Sequence, residues 1–324
     1  MINKKINILD VGAYGDLDWP FNSLKKNDVN FIQIDPQFSE KEISDQKNKH
    51  KYILWETNEI VPMYIYNTKE TSSVFKPNIN FLKHFPEINR FKITKEEKVN
   101  SKSIDHLVAE KIISELDFVK LDTQGSEKKI INGGEKYLGN NLVGMQIEVE
   151  FEKIYENQPL FADIDIQIRN KLGLSLWDLD LRYFKYKEGV NKKTNFKGRV
   201  IYANALYMRS IENLENWLKQ YDKEFKKNKL YALYKISFIY GYLDYCLALL
   251  NSSIFKDNYS ELEINELRKN IQKNKFYIFP FLKNRYIYFV LRIFANHFKP
   301  SHNNWAHGNS ILGNKKWFKY FFQI

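Results

Sequence analysis

Two short motifs near the start of the chain suit a nucleoside ligand. The first, DVGAYG, covers residues 10–15 and follows an apolar run that predicts a β-strand. Gly12 has no Cβ, so the backbone can turn tightly and a ligand can approach it, while Asp10 can accept a hydrogen bond from a ligand ammonium group. Asp35 ends the next apolar run, about 20 residues later. An acid at this spacing can hydrogen-bond both ribose hydroxyls of an adenosine, so the pair of motifs favours a nucleoside over two ordinary turns.

Acidic residues also follow or interrupt two later strand candidates. Asp122 ends the run DFVKLD, and Glu148 and Glu150 lie on one face of VGMQIEVEF, a strand otherwise built to be buried. Carboxylates on a buried strand are costly unless they are paired or solvated at its end. Chance acids on an exposed face are the alternative. If the chain acts on a hydroxyl group, a general base is needed, and Asp122 and Glu150 are the candidate catalytic residues, with His106 better explained as a helix-start residue.

Alternating strand and helix patterns over the first 200 residues predict the fold that positions these side chains. The candidate strands are 6–11, 29–35, 51–55, 63–67, 91–99, 117–122, 143–151, 174–184 and 198–209. Helical patterns cover 17–26, 39–49, 103–113 and 126–138, with Ser103 as an N-cap. The alternation predicts an α/β fold, a Rossmann-like, mostly parallel sheet with helices on both faces. Strand ends then meet at one edge, where ligands bind.

The pattern changes after residue 210. Four helices are predicted there, over 211–226, 229–250, 259–274 and 284–298. We therefore expect two domains, 1–209 around the sheet and 210–324 as a basic, aromatic-rich helical extension.

Charge is distributed unevenly along the chain. The net charge is +11, of which residues 1–204 contribute 31 Lys+Arg against 30 Asp+Glu, and residues 205–324 contribute 19 against 9. No acid follows Glu266. Codon bias explains abundant lysine, but it does not explain the loss of acids from one end.

An apolar-aromatic run over 276–298 leaves three interpretations open. Its cations argue against a membrane-spanning helix; they are Lys283, Arg285 and Arg292. The run can be a helix packed on the catalytic domain, or a surface that docks on anionic lipid or a polyanionic glycan. Binding of single-stranded nucleic acid is the third interpretation, and no nucleic-acid motif supports it.

The single cysteine, Cys246, cannot form an intramolecular disulfide, which favours a reducing compartment. The start MINKKINILDVG becomes acidic too early for a signal peptide. We therefore expect a cytoplasmic protein, with a peripheral place at the inner membrane face if the basic end docks there.

Five segments, in this order, resemble the FkbM family of S-adenosylmethionine-dependent methyltransferases. They are DVGAYG, FIQIDP, SIDHL, LDFVKLDTQGSEKKIINGGEKYL and IEVEFEKIYENQPLF, and the resemblance spans about 8–185. The last two blocks are specific, whereas the glycine motif is not. The resemblance implies a class I methyltransferase sheet, S-adenosylmethionine as cofactor, and O-methylation, often of sugar hydroxyls in glycans or natural products.

The resemblance also implies roles for individual residues. It implies that Asp10, Gly12 and Ala13 line the methionine end of the cofactor, with Gly15 at the end of the same motif. It implies that Asp35 holds the ribose. It implies that Asp122 and Gln124 face the reacting methyl group. A serine pair that the family often carries is matched by Ser72 and Ser73. Trp55 replaces a usually small residue, and it can pack against the adenine or narrow the pocket.

Two other functions compete with this one. An oxidoreductase on a Rossmann sheet is disfavoured because the chain has no G-x-G-x-x-G. A non-catalytic nucleoside-binding or scaffolding protein that kept the fold is the alternative from another class. No metal site is expected, because His297, His302 and His307 recur every five residues, which is not helical i, i+4 spacing.

Overall fold

The computed structural model describes residues 4–15, 20–24, 27–189, 198–273, 287, 290–291 and 306–308. The strands are β1 Ile6–Val11, β2 Val29–Ile34, β3 Lys49–His50, β4 Ile53–Leu54, β5 Ile60–Tyr66, β6 Ile93–Lys102, β7 Phe118–Leu121, β8 Gly144–Glu150, β9 Ser175–Phe184, β10 Arg199–Met208 and β11 Ala306–Gly308. The helices are α1 Glu40–Asp45, α2 Ile79–Leu82, α3 Ile104–Ala109, α4 Glu127–Asn132, α5 Glu135–Asn141, α6 Phe161–Gln167, α7 Ile211–Leu218, α8 Lys223–Tyr240, α9 Leu243–Asn251, α10 Ser253–Asn258 and α11 Glu261–Lys273.

The main sheet runs in the order β11-β9-β10-β8-β7-β1-β2-β3. Five neighbouring strands of this sheet pair in parallel, in the order β3-β2-β1-β7-β8. The remaining three, β10, β9 and β11, pair antiparallel. The predicted α/β fold is confirmed. Because β1, β2, β7 and β8 are parallel neighbours, their carboxyl ends lie at one edge of the sheet.

Two hydrophobic cores cover the two faces of this sheet. Helices α3 to α6 pack on one face, against side chains such as Leu9, Val119 and Ile147. Helices α7 to α11 pack on the other, against Ile8 and Phe118 among others. The central strands β7 and β8 are buried along their whole length for this reason, although β7 carries Lys120 and β8 carries Gln146, Glu148 and Glu150.

A second, three-stranded sheet in the order β4-β6-β5 stands beside the first. The predicted strands at 63–67 and 91–99 form its antiparallel pair, β5 and β6. The chain between them returns through a bridge from Ser73 to Tyr64. Sequence patterns predicted both strands but not that they leave the main sheet.

The helices after residue 210 share a core with the sheet. Leu233 and Leu249 lie in the same buried cluster as the strand residues Ile6 and Leu206. The predicted boundary at 209 follows the last residue of β10. In the described part of the chain, the helices after this boundary pack directly on the strands before it. It stays a prediction as a domain boundary.

Two of the predicted long helices are each interrupted. The expected helix over 211–226 is split because the Asp222 side chain accepts a hydrogen bond from the backbone N–H of Phe225 and begins α8. The expected helix over 229–250 is split at Gly241, whose φ of 88° ends α8. Both predictions missed an ordinary cap inside an apolar-periodic stretch.

Helix α8 is tied to the sheet by a buried ion pair. Lys229 Nζ lies 2.7 Å from Asp117 Oδ1, just before β7, and also donates to the carbonyl oxygen of Leu116. The other oxygen of Asp117 accepts from the backbone N–H of Asn7 on β1. The pair therefore links α8, β7 and β1.

The predicted helix at 284–298, within the run over 276–298, falls almost entirely outside the described residues. Within the described ranges, no helix is both long and apolar enough to cross a membrane.

Candidate active site

The turn after β1 brings three strand ends together. Gly12 has a φ of 75°, and a Cβ there would lie 1.9 Å from the carbonyl oxygen of Asp122, at the end of β7. Its backbone N–H donates to the carbonyl oxygen of Ile34, the last residue of β2, at 3.0 Å. Only glycine fits this position, and what approaches it so closely is the protein's own backbone.

A cleft of about 530 Å³, partly open to solvent, lies over these strand ends. Four predicted site residues line the cleft, and they are Gly12, Asp35, Asp122 and Gln124. Strand β5 of the small sheet and the chain that follows this strand form another wall, through Met63, Glu70, Ser72, Ser73 and Val74.

The other four predicted site residues do not line the cleft. Ala13 is buried, and Gly15, with a φ of 93°, would have nothing within 4 Å of an added Cβ. Glu150 is fully buried under the edge of the sheet. Asp10 pairs with Lys120 on β7, whose Nζ lies 3.5 Å from Oδ1. The functional roles assigned to these residues stay predictions.

Asp10 belongs to a polar row that crosses four neighbouring strands in register. The row is Gln33 on β2, Asp10 on β1, Lys120 on β7 and Gln146 on β8. Gln33 Nε2 donates to Asp10 Oδ2 at 3.3 Å. Burial raises the pKa of Asp10, and the charge of Lys120 lowers it. The carboxylate of Asp10 thus holds β1, β2 and β7 together beside the cleft.

Asp35 is buried, yet it lines the cleft at the end of β2. Its Oδ1 accepts a hydrogen bond from the backbone N–H of Gln37 at 2.7 Å, which fixes the carboxylate in the Asp-Pro turn. Burial raises the pKa of Asp35 to about 6, against the opposing effect of that backbone N–H. An acceptor so placed suits a ligand that brings hydroxyl donors.

Gln124 has every polar group of its side chain engaged. Its Nε2 donates to Asp122 Oδ1 at 3.0 Å and to Glu148 Oε1 at 2.9 Å. Its Oε1 accepts from the hydroxyl of Tyr155 at 2.8 Å, and its backbone carbonyl accepts from Ser73 Oγ at 2.7 Å. Its backbone has a φ of 59°, in the left-handed region that a side chain such as glutamine seldom adopts.

Three further carboxyl groups lie beside Asp122 and are almost completely buried. Glu127, at the start of α4, accepts from the backbone N–H and the hydroxyl of Thr123. Burial raises the pKa of Glu127, Glu148 and Glu150, and the negative charges of this cluster raise those of Glu148 and Glu150 further. A site of this kind favours carboxyl groups that take up protons.

Glu148, rather than Glu150, is the acid of β8 that connects to the cleft. Glu148 reaches Asp122 through the amide of Gln124. The Gln158 side chain lies close enough to Glu150 to lower its pKa, but among the described residues neither oxygen of Glu150 has a hydrogen-bond partner of normal geometry. The two acids share a face of the strand, so sequence alone did not separate them.

Aromatic residues that the sequence did not single out line the cleft. Tyr14 and Tyr52 contribute to its wall. Trp55, the residue proposed to meet an adenine, does not line it and packs on Phe75 at 6.1 Å between ring centroids, with Lys129 over its ring. Tyr52 follows the two-residue strand β3, and no spacing rule distinguished it from other tyrosines.

The serine pair has a structural part in the site. Ser72 Oγ accepts from the backbone N–H of Tyr66 at 3.1 Å, which ties the cleft wall to β5. Ser73 Oγ accepts from the backbone N–H of Phe75 at 3.0 Å and donates to Gln124. Both residues line the cleft.

The cleft has what a nucleoside with a charged tail requires. A carboxylate ends β2, aromatic rings flank the wall, a glycine turn follows β1, and a second carboxylate ends β7. In the described part of the chain, no group of three or more His, Cys, Asp or Glu side chains is arranged to hold a metal ion. The residues present therefore fit an adenosine-containing cofactor.

Comparison with known proteins gives one match. Residues 46–173 match the family model described as Methyltransferase FkbM domain. The match confirms the predicted resemblance over a shorter stretch than 8–185, and it leaves out the two motifs that end in Gly15 and Asp35. No curated protein and no solved structure matches the chain.

Proposed function

We propose that this chain, with its FkbM methyltransferase domain over residues 46–173, transfers a methyl group from S-adenosylmethionine to a hydroxyl. A sugar, glycan or glycolipid intermediate is the acceptor that the family resemblance favours. The observation that carries the proposal is that Asp35 and Asp122 line one cleft, at the ends of β2 and β7. One carboxylate suits a ribose and the other suits a reacting hydroxyl.

Separate parts of the cleft would hold the cofactor. Asp35 is placed to accept hydrogen bonds from both ribose hydroxyls, and charge-assisted bonds of this kind are among the stronger ones. The rings of Tyr14 and Tyr52 suit the adenine. The turn at Gly12 leaves the methionine end beside Asp122. S-adenosylmethionine would supply a methyl group already activated on a positively charged sulfur.

The residues of the chain would then position the acceptor and take its proton. A pre-activated donor leaves the protein chiefly the task of alignment. As the new oxygen–carbon bond forms and the carbon–sulfur bond breaks, the hydroxyl proton passes to Asp122, and neutral S-adenosylhomocysteine is left. The buried carboxyl groups around Asp122 provide a site where one added proton lowers the negative charge.

Binding and turnover measured separately test the proposal. Calorimetric titration should give saturable one-site binding of S-adenosylmethionine and S-adenosylhomocysteine, and no binding of NAD. Release of S-adenosylhomocysteine should then depend on an added polyhydroxylated acceptor. A folded protein that binds neither sulfur compound would contradict the proposal. Binding without any turnover across a broad acceptor panel would favour a non-catalytic nucleoside-binding protein.

A further inference from the structure

One buried hydroxyl group contacts the carbonyl end of the Gln124 amide. Tyr155 is fully buried, and its hydroxyl lies 2.8 Å from two oxygens, Gln124 Oε1 and the backbone carbonyl of Thr71. A phenol has a single hydrogen, so the two carbonyl groups share one donor. When this hydrogen is donated to Gln124, it holds the carbonyl end of the amide toward Tyr155, and the backbone carbonyl of Thr71 is its second acceptor.

The opposite end of the same amide faces two carboxylates. An amide nitrogen has two N–H donors, and here one meets Asp122 and the other meets Glu148. Asp122 lines the cleft, whereas Glu148 is 7% exposed and lies behind it. A reversed amide would aim its carbonyl oxygen at both carboxylates, which is electrostatically unfavourable while both are ionised.

We propose that Asp122 and Glu148 act as one proton-accepting unit joined by the Gln124 amide, with Tyr155 as the positioning residue that orients this amide. The inference rests on the proposed methyl transfer. Asp122 touches the acceptor and receives its hydroxyl proton. Glu148 shares the charge of the unit through the bridging amide and does not touch the substrate.

The surroundings of Glu148 favour its protonated form. The charged and titratable groups that face it are Asp122, Glu150, Glu127, Lys120, Tyr155 and Tyr202. Burial is the largest cause of the raised pKa of Glu148. The three neighbouring carboxylates raise this pKa further, and the charge of Lys120 opposes them.

Tyr155 has a close internal control. Tyr66 is also buried, stacks on Tyr155 with 6.2 Å between ring centroids, and donates its hydroxyl to the carbonyl oxygen of Phe75 at 2.5 Å. Among the described residues, the Tyr66 hydroxyl forms no hydrogen bond with Gln124, Asp122 or Glu148. The variants Tyr155→Phe and Tyr66→Phe each remove one buried hydroxyl from the same pair of rings, so their difference isolates the amide.

The first test needs no acceptor. The full chain, labelled with ¹⁵N-glutamine, should show a Gln124 side-chain amide signal, assigned by its loss in Gln124→Met. We expect Tyr155→Phe to speed hydrogen exchange of this amide by about tenfold or more, and Tyr66→Phe to leave it unchanged. Calorimetry should give S-adenosylmethionine affinity within about twofold of wild type for both tyrosine variants, since Asp35 is untouched. An unchanged Gln124 signal in Tyr155→Phe would overturn the inference.

The second test uses turnover and a double variant. We expect kcat of Tyr155→Phe to fall about tenfold, with the acidic limb of its pH profile displaced, because one hydrogen bond to a charged unit is lost. The double variant Tyr155→Phe with Gln124→Met should lose no more than Gln124→Met alone. Additive losses, or a kcat loss with an unchanged pH profile, would mean that Tyr155 merely supports the fold. A wild-type protein that binds no S-adenosylmethionine would defeat the proposed function, while the amide signals would still report on Tyr155.

Discussion

At the scale of single residues, the position of each carboxylate decides what it can do. Asp35 and Asp122 both line the cleft, whereas Asp10 is engaged by Lys120 and Gln33 and Glu150 lies beneath the surface. Carboxyl groups therefore face the cleft in two places and pair with a neighbouring strand in another. Each position supports a different experiment.

The first prediction concerns Asp35 and pH. Because its pKa is raised to about 6, Asp35 in the free protein is mostly protonated at pH 5 and mostly ionised above pH 7. A ribose needs the ionised form as acceptor, so S-adenosylmethionine affinity should fall about tenfold from pH 7.5 to pH 5. Calorimetry across this range measures it.

The matched control for that prediction is Asp35→Ala. This variant should bind more weakly at pH 7.5, and its affinity should be nearly independent of pH over the same range. Retention of wild-type affinity, or of the wild-type pH dependence, would show that Asp35 does not hold the ribose.

The second prediction separates chemistry from binding at Asp122. Asp122→Asn keeps the shape of the side chain and removes its capacity as a base, so kcat should fall by ~10²–10⁴ while S-adenosylmethionine affinity changes little. Initial rates of S-adenosylhomocysteine release and calorimetry together test it. Full turnover in this variant would reduce Asp122 to a structural residue.

At the scale of elements, helix α8 depends on one buried charge. Lys229 and Asp117 each have a side chain that is 5% exposed, and their contact joins the helix to β7. Removing one partner of a buried pair leaves the other charge without compensation. The third prediction is that Lys229→Met lowers the free energy of unfolding by about 3–5 kcal/mol.

Chemical denaturation monitored by circular dichroism measures this loss. Lys223→Met is the control, because Lys223 begins the same helix and is exposed. It should change the free energy of unfolding by less than about 0.5 kcal/mol. Equal effects of the two substitutions would contradict the role given to the buried pair.

Sequence patterns predicted the elements with continuous apolar runs better than their arrangement. Strands β1, β2 and β7 each carry an apolar run followed by a turn signal, and β8 alternates apolar with polar residues, so the patterns predicted these strands and their common edge. The separate sheet of β5 and β6 did not follow, because pairing partners depend on contacts distant in the chain. Caps at Asp222 and Gly241 were missed inside apolar-periodic stretches.

Sequence patterns likewise predicted some residues of the candidate site and missed others. Spacing from the glycine turn selected Asp35, and the position after a buried strand selected Asp122, and both line the cleft. Local patterns did not select Glu148 over Glu150, since both share one face of β8. Tyr155 lies 31 residues from Gln124 in the chain, and although it belongs to the segment IEVEFEKIYENQPLF, no local pattern predicted that its hydroxyl contacts the Gln124 amide.

At the scale of the whole molecule, charge remains the feature with most consequence for partners. Residues 267–324 hold eleven Lys+Arg and no acid, and most of them lie outside the described ranges. The fourth prediction is that the protein docks through this end on an anionic surface, at the inner membrane face or on a polyanionic glycan. Each basic residue near anionic lipid contributes about 1 kcal/mol, and salt screens it.

Co-sedimentation with phosphatidylserine vesicles across a salt series measures docking. Binding should be strong at low salt and weak above about 0.5 M, where the Debye length falls to a few ångströms. Neutral phosphatidylcholine vesicles are the control. Absence of binding to anionic vesicles and anionic glycans at every salt concentration would leave the segment as part of the core.

The helices that cover the second face of the sheet, α7 to α11, lie outside the stretch that matches the family model. The matched stretch, 46–173, carries Asp122, Glu148 and Tyr155. It does not contain the strands β1 and β2 or the helices α7 to α11. The matched stretch lacks two strands of the sheet and the helices that cover one of its faces, so we expect it not to fold by itself. Exchange of residues 46–173 with another protein that matches the same family model would move Asp122, Glu148 and Tyr155 together, while Asp35 and helices α7 to α11 would stay with the host.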